Sequence, residues 1–148
     1  KFDRNIGKEE ALEISNITEE EYSSIVEAAL KVDEIIEREA AKNGLIHVDG
    51  KKEFALGPGR KVVLVDTFGT LDEDRWWDAE AYANGETIEL SKEFVRSHYI
   101  STGHQANLKA ARDSGSDEPP IPALPQSVID QTANLYSSMY ERLTSGKF

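Results

Sequence analysis

Asp49, Lys51 and Glu53 stand at i, i+2 and i+4 in a stretch that reads as extended chain. On a strand, alternate side chains point the same way, so this spacing sets an ammonium between two carboxylates on one sheet face. That arrangement suits a site holding a divalent cation and an anion together. Asp66 ends the neighbouring β-branched run and would approach the Asp49/Glu53 face if the two strands pair as a hairpin. Carboxylates in ones and twos, completed by substrate phosphates and water, are how Mg²⁺ is held. The plainer alternative is a solvent-facing strand of alternating charge.

Asp72, Arg75, Trp76 and Trp77 come next along the chain. Arginine is suited to bidentate capture of carboxylate or phosphate. Paired tryptophans read as core packing ahead of ligand stacking. Lys92 and Arg96 are four apart on an expected helix and so share a face. They would form either a small cationic phosphate grip or an ordinary solvated surface. Gly57-Pro58-Gly59-Arg60 lacks the glycine spacing and the Lys-Ser/Thr ending of a phosphate loop. His47 reads as a half-buried structural strand residue. His98 and His104 have no nucleophile or carboxylate partner at readable spacing.

The elements that must position these residues follow from capping and periodicity. A short helix is expected over Lys8–Ile14. Thr18-Glu-Glu-Glu21 is a capping box, followed by Tyr22, Ile25, Val26, Ala29, Val32, Ile36 and Ala40 at helical spacing and stopped by Asn43-Gly44. Leu45–Asp49, Lys51–Leu56 and Lys61–Asp66 read as strands, with a turn at Gly57-Pro58-Gly59. Thr67–Asp78 and Ala79–Glu89 read as ordered loops. Ser91 is expected to cap a helix to about Ile100. Residues 101–118 are polar, and Pro119–Pro125 must be extended, because repeated proline forbids helix. A last helix opens at Pro125 or Gln126, with Val128, Thr132, Leu135, Met139 and Leu143 on one face. The order implies an α+β fold, a small and mostly antiparallel sheet packed with helices.

Composition removes several function classes. The chain has 148 residues and 16.5 kDa, enough for one domain with a modest core. Its net charge of −11 and lack of a Lys/Arg cluster argue against nucleic-acid binding. The absence of cysteine excludes disulfides, thiolate zinc sites and cysteine nucleophiles, and the three scattered histidines lack metal-ligand spacing. No apolar run is long enough for a bilayer and no signal peptide is visible, so a soluble cytoplasmic protein with no membrane partner is expected. The first residue is Lys1 rather than Met, so more chain is expected upstream.

Gly44-Leu-Ile-His-Val-Asp-Gly-Lys-Lys-Glu-Phe54 resembles a segment of phosphoribosylaminoimidazole-succinocarboxamide synthase (SAICAR synthetase). Val65-Asp-Thr-Phe-Gly-Thr-Leu-Asp-Glu-Asp-Arg-Trp-Trp77 and Ser91-Lys-Glu-Phe-Val-Arg96 are similar to later segments of that family. So are Pro122-Ala-Leu-Pro125 with Val128, Thr132, Tyr136, Tyr140 and Glu141-Arg-Leu-Thr144, and the opening Asp3-Arg-Asn-Ile6 with Glu10-Ala11. The matches run in order across nearly the whole chain.

The resemblance implies an ATP-dependent amide ligase of purine biosynthesis. Such an enzyme joins L-aspartate to the carboxylate of carboxyaminoimidazole ribonucleotide (CAIR), giving SAICAR, ADP and phosphate. By that resemblance Glu53 and Asp66 would hold Mg²⁺ on the ATP phosphates. Asp49 would sit near the CAIR carboxylate as a further metal contact, and Lys51 near the transferring phosphoryl group. Arg75 and Lys92, with Arg96 in support, would grip CAIR, and Asp72 would position the substrate or its own loop. Three residues depart from the family pattern: Thr67 stands in place of Glu, Leu71 in place of Pro and Ala55 in place of Gly.

The resemblance also makes residues 1–148 a C-terminal domain, with the N-terminal ATP-gripping half expected on the same or a separate chain. A homo-oligomer is a further expectation from the family. A paralogous ligase acting on another acid or amine, and a non-catalytic subunit-binding domain, are the alternatives.

Overall fold

The structure is a computed structural model that describes residues 4–147, so Asp3 of the opening motif lies outside the described residues. It divides into two compact units, Lys1–Ile36 with Lys52–Thr67, and Glu37–Lys51 with Phe68–Phe148. Its helices are α1 (Lys8–Ser15), α2 (Glu19–Ala41), α3 (Ala79–Ala83), α4 (Glu93–Ser101), α5 (His104–Ser114) and α6 (Gln126–Thr144). Its strands are β1 (Leu45–Gly50), β2 (Glu53–Leu56), β3 (Val62–Val65) and β4 (Asp74–Asp78). They form two separate antiparallel pairs, β1 with β4 and β2 with β3. The α+β class holds, and its sheet is two ribbons rather than one. Among the described residues no helix is long and apolar enough to cross a membrane.

In the first unit, the start of α2 is a true capping box. The Glu21 amide donates to Thr18 Oγ1 at 3.2 Å, and the Thr18 amide donates to Glu21 Oε2 at 2.8 Å. The β2–β3 turn follows from its glycines and proline: Pro58–Arg60 is a single 3-10 turn in which Gly59 and Arg60 both take positive φ. Arg60 is held in that uncommon conformation by its guanidinium, which donates to both Glu21 oxygens at 2.6 Å and to the Asn16 carbonyl at 3.1 Å. Glu21 is therefore shared between helix cap and hairpin turn, and the Arg60 fork, then the Thr18 amide, hold its carboxyl below the usual range. Phe54, Leu56, Val62 and Leu64 fall on the half-buried face of the hairpin, and Glu53, Ala55, Val63 and Val65 on the exposed one.

In the second unit, β1 finds its partner in β4, a segment whose sequence reads as loop. Asp-Arg-Trp-Trp-Asp has no β-branched run, and it becomes a strand because its alternate residues Asp74 and Trp76 bury against β1. The core is Ala40, Leu45, Leu71, Trp76 and Met139. Asp78 caps α3 by accepting the Glu80 and Ala81 amides. Arg142 on α6 donates to the Asn43 and Gly44 carbonyls at 3.1 and 2.9 Å and to Asp78, tying α6 to the start of β1 and the end of β4.

The polar stretch after α4 also folds beyond expectation. Gly103 and Gly115, both at positive φ, bracket α5, in which only His104 is buried and only Leu108 and Ala111 are half-buried. So sparse an apolar stripe, opened by a histidine, hides the helix from hydrophobic periodicity. The proline segment is non-helical as expected, and Tyr99 donates its hydroxyl to the Pro122 carbonyl at 2.9 Å.

Met139 is fully buried, so replacing it with alanine removes packed side-chain volume with nothing to refill it. Met139→Ala is expected to lower stability by about 2–5 kcal/mol, read as a lower urea midpoint of tryptophan fluorescence with unchanged slope.

Candidate active site

The β1–β4 ribbon carries opposite chemistry on its two sides, and a bulge decides which residue goes where. Leu45, Ile46 and His47 pair with Asp78, Trp77 and Trp76, but the next partners are Asp49 with Arg75, which leaves Val48 as the extra residue. Strict alternation would put Asp49 on the buried side with Leu45 and His47. The bulge flips the parity and delivers Asp49 to the exposed side, opposite Arg75. There the Arg75 guanidinium donates to both Asp49 oxygens, from Nε at 2.8 Å and from Nη2. The pair raises the Arg75 pKa and holds the Asp49 carboxyl below its ordinary range.

On the buried side, His47 Nε2 and Asp74 Oδ1 are 2.8 Å apart, with both side chains essentially without solvent. His47 also packs on the Trp76 ring at 4.9 Å. Asp74 Oδ2 accepts the Gly69 amide and, at 3.2 Å, the Thr70 amide. The Asp74 amide and Trp76 Nε1 both donate to the Thr70 carbonyl, at 3.0 and 3.3 Å. The loop carrying Asp72 is thereby fixed from beneath.

Above that loop stands the start of α4. The Lys92 amide donates to the Leu71 carbonyl at 3.1 Å, and the Lys92 ammonium donates to the Asp72 carbonyl. Tyr136 on α6 donates its hydroxyl to Asp72 Oδ1 at 2.7 Å, and burial, then this bond, raises the phenol pKa. Ser91 is buried, and its hydroxyl accepts the Glu93 amide at 3.3 Å, close to the capping role expected of it. Lys92, Arg96, Tyr99, His104, Leu108 and Tyr136 are among the residues lining a pocket of about 490 Å³. Its lining is mostly apolar, with cations from Lys92, just before α4, and Arg96 on it, a composition suited to an anionic molecule with an apolar part.

Glu53 and Asp66 belong to the other unit. Glu53 pairs with Val65, so Asp66, the next residue, stands at the same end of the hairpin. Asp66 takes positive φ, and its Oδ1 accepts the Thr67 amide at 2.8 Å. Both carboxylates are exposed. Two hard oxygen donors on one hairpin end fit a cation that keeps water and phosphate among its ligands. Among the described residues no three His, Asp or Glu side chains are grouped to hold a metal by themselves.

Asp49, Lys51 and Glu53 do not share one strand face. β1 ends at Gly50 and β2 begins at Glu53, while the Lys51 amide donates to the Glu73 carbonyl at 3.2 Å. Asp49 and Arg75 are brought together, as are Lys92 and Asp72, and Lys92 and Arg96 line one pocket. Arg96 is also paired with Glu93 on its own helix. Trp76 is core, and Trp77 packs on Tyr82 at 5.2 Å and donates to Glu89, so both tryptophans are packing residues. Sequence reasoning missed Asp74 and the burial of His47. The available signal was a lone histidine on an apolar strand with an aspartate beside a core tryptophan.

Because the folded Asp49 pKa lies below its unfolded value near 4, its contribution is present at neutral pH and is lost as pH falls through the folded value. The pair is about half exposed, so it is worth at most about 1 kcal/mol. Arg75→Met is expected to move the Asp49 carboxyl back toward the ordinary range, read by carbon-detected NMR titration.

A family model described as SAICAR synthetase matches residues 1–112. The phosphoribosylaminoimidazole-succinocarboxamide synthase of Thermoplasma acidophilum is 52% identical over 148 residues, covering 100% of this chain and 50% of that protein. A solved SAICAR synthetase in complex with ADP superposes with a TM-score of 0.64 at 27% identity, covering 97% of this chain and 46% of that one. The SAICAR synthase of Saccharomyces cerevisiae has the same fold, with a TM-score of 0.75 at 24% identity over 99% of this chain and 45% of that one. The chain spans about half the length of the curated relatives it matches. The chain belongs to the SAICAR synthetase family.

Proposed function

We propose that this chain supplies the metal-holding and substrate-gripping half of an ATP-dependent ligase that joins L-aspartate to the CAIR carboxylate, giving SAICAR, ADP and phosphate. The observation that carries this reading is 52% identity, along the full length of this chain, to a relative that bears the synthase name. The ADP complex of a family member supports nucleotide binding. On this reading the N-terminal ATP-gripping half completes the site from the same or a separate chain. The residues favour no substrate pair over CAIR and aspartate, and the Thr67 departure alone does not carry a paralogous activity.

A carboxylate does not accept an amine until one of its oxygens becomes a leaving group. The balanced course is transfer of the ATP γ-phosphoryl group to a CAIR carboxylate oxygen, with ADP departing. The aspartate amine then attacks the carbonyl carbon, the amide bond forms, and phosphate and a proton leave. Glu53 and Asp66 would hold Mg²⁺, which when bound offsets charge on the phosphate oxygens. Lys51 would face the moving phosphoryl group. Lys92 and Arg75 would bind the anionic groups of CAIR, with Arg96 on the same pocket wall. Asp49 fixes Arg75 through the fork described above. Asp72 positions Lys92 through its carbonyl. The reading places the enzyme in the cytoplasm with no nucleic-acid or membrane partner, and as a homo-oligomer by family likeness.

Lys92 has an electrostatic property that suits an anion grip. Among the described residues its ammonium hydrogen-bonds a carbonyl, whereas Arg75 and Arg96 are paired with carboxylates. A carbonyl dipole orients an ammonium without cancelling its charge.

The test is ADP formation by the protein carrying this chain, with Mg-ATP and CAIR, with and without L-aspartate. Release that requires aspartate is expected; release indifferent to aspartate would defeat the reading. Asp66→Asn is expected to cut turnover by about a hundredfold or more while circular dichroism stays unchanged. Lys92→Met is expected to raise KM for CAIR by roughly tenfold with KM for ATP unmoved.

A further inference from the structure

The proposed chemistry leaves one buried pair unused. Asp74 is 1% exposed and His47 is 6% exposed, and they meet at 2.8 Å. A buried carboxylate is costly unless each oxygen is satisfied. Here the second oxygen is satisfied by the Gly69 and Thr70 amides, at the root of the loop that carries Asp72. From Thr70 the path to the pocket is short. The Leu71 carbonyl takes the Lys92 amide, the Asp72 carbonyl takes the Lys92 ammonium, and the Asp72 carboxylate takes the Tyr136 hydroxyl. Every bond that orients Lys92 on this side originates in the segment that Asp74 anchors.

Resting on the ligase reading, we propose that Asp74, locked by His47, is a positioning residue that sets the Lys92 ammonium for binding the anionic substrate. Neither side chain lines the pocket that Lys92 lines. Their effect runs through backbone amides and carbonyls. Gly69 takes positive φ and Asp74 closes the turn onto the Thr70 carbonyl, so the loop has a specific shape to lose. When the carboxylate is removed, two loop amides lose their acceptor and His47 loses its partner. The loop then relaxes and the carbonyl that holds the ammonium moves with it. Misplacement of about an ångström at a binding group is enough to cost one to two orders of magnitude.

The experiment compares Asp74→Ala and Asp74→Asn in the complete enzyme by two readouts. The first is the rate at which Lys92 is acetylated by acetic anhydride, followed by peptide mass spectrometry with Lys31 and Lys109 as internal references. Asp74→Ala is expected to speed labelling of Lys92 alone. The second is steady-state kinetics. Asp74→Ala is expected to raise KM for CAIR by about tenfold or more and leave KM for ATP within about twofold. Asp74→Asn is expected to recover most of the loss, because its amide oxygen still accepts the loop amides and its nitrogen can still meet the His47 ring. A purely structural role would change all lysines and both KM values together, and that result would overturn the proposal, as would an unchanged Lys92 and CAIR response. If Asp74→Ala does not fold, His47→Leu carries the same readouts with the same expectations. A wild-type enzyme without aspartate-dependent turnover would remove the ligase reading, and the labelling would still decide the positioning role.

Discussion

A carboxylate buried beside a histidine is the constraint on which the second unit is built. Asp74 has no solvent to stabilise it, so each of its oxygens needs protein donors, and the structure supplies them from two directions. His47 comes from the neighbouring strand and the Gly69 and Thr70 amides come from the incoming loop. The same residue thus joins strand pairing to loop shape. Trp76, next but one along β4, packs its ring on His47 and adds its own bond to the Thr70 carbonyl. Removing one partner from such a cluster strands several buried polar groups at once.

The bulge at Val48 is the second decisive feature. It lets one short ribbon hold a buried His–Asp pair on one side and an exposed Asp–Arg pair on the other. A regular ribbon would place Asp49 under the sheet, where an arginine fork could not reach it without burying two charges. The site is therefore built outward from packing. The inner pair holds the loop, the loop holds Lys92, and the outer pair holds Arg75 in a fixed orientation.

The legible parts of the fold were those specified by neighbouring residues. The Thr18–Glu21 box, the Gly57–Arg60 turn and the Pro125–Gln126 opening of α6 each depend on a few adjacent side chains, and each stands where the sequence places it. β4 depends instead on a partner strand distant along the chain, and α5 depends on a histidine used as an apolar surface. The site divides the same way. The residue types of Asp49, Glu53, Asp66, Arg75, Lys92 and Arg96 were readable, and Lys92 and Arg96 do line one pocket. Their grouping was not readable, because the break at Lys51 and Lys52 and the bulge at Val48 both reset which face a side chain takes. The residue types of His47 and Asp74 hinted at a buried pair, but their pairing was not readable, since neither spacing nor periodicity connects residues on different strands.

The distribution of charge gives the account its chemical logic. Among the exposed carboxylates of a chain with net charge −11, Glu53 and Asp66 stand at one end of the β2–β3 hairpin, while Lys92 and Arg96 line a pocket at the start of α4. On the proposed ligase reading, phosphoryl transfer to a carboxylate would call for both kinds of group, a cation-holding one for the nucleotide and an anion grip for the acceptor. The most direct test is to label the CAIR carboxylate with heavy oxygen and follow the label through turnover with Mg-ATP and aspartate. Activation by phosphorylation predicts that the released phosphate carries a labelled oxygen from the substrate. Unlabelled phosphate during SAICAR formation would contradict the account.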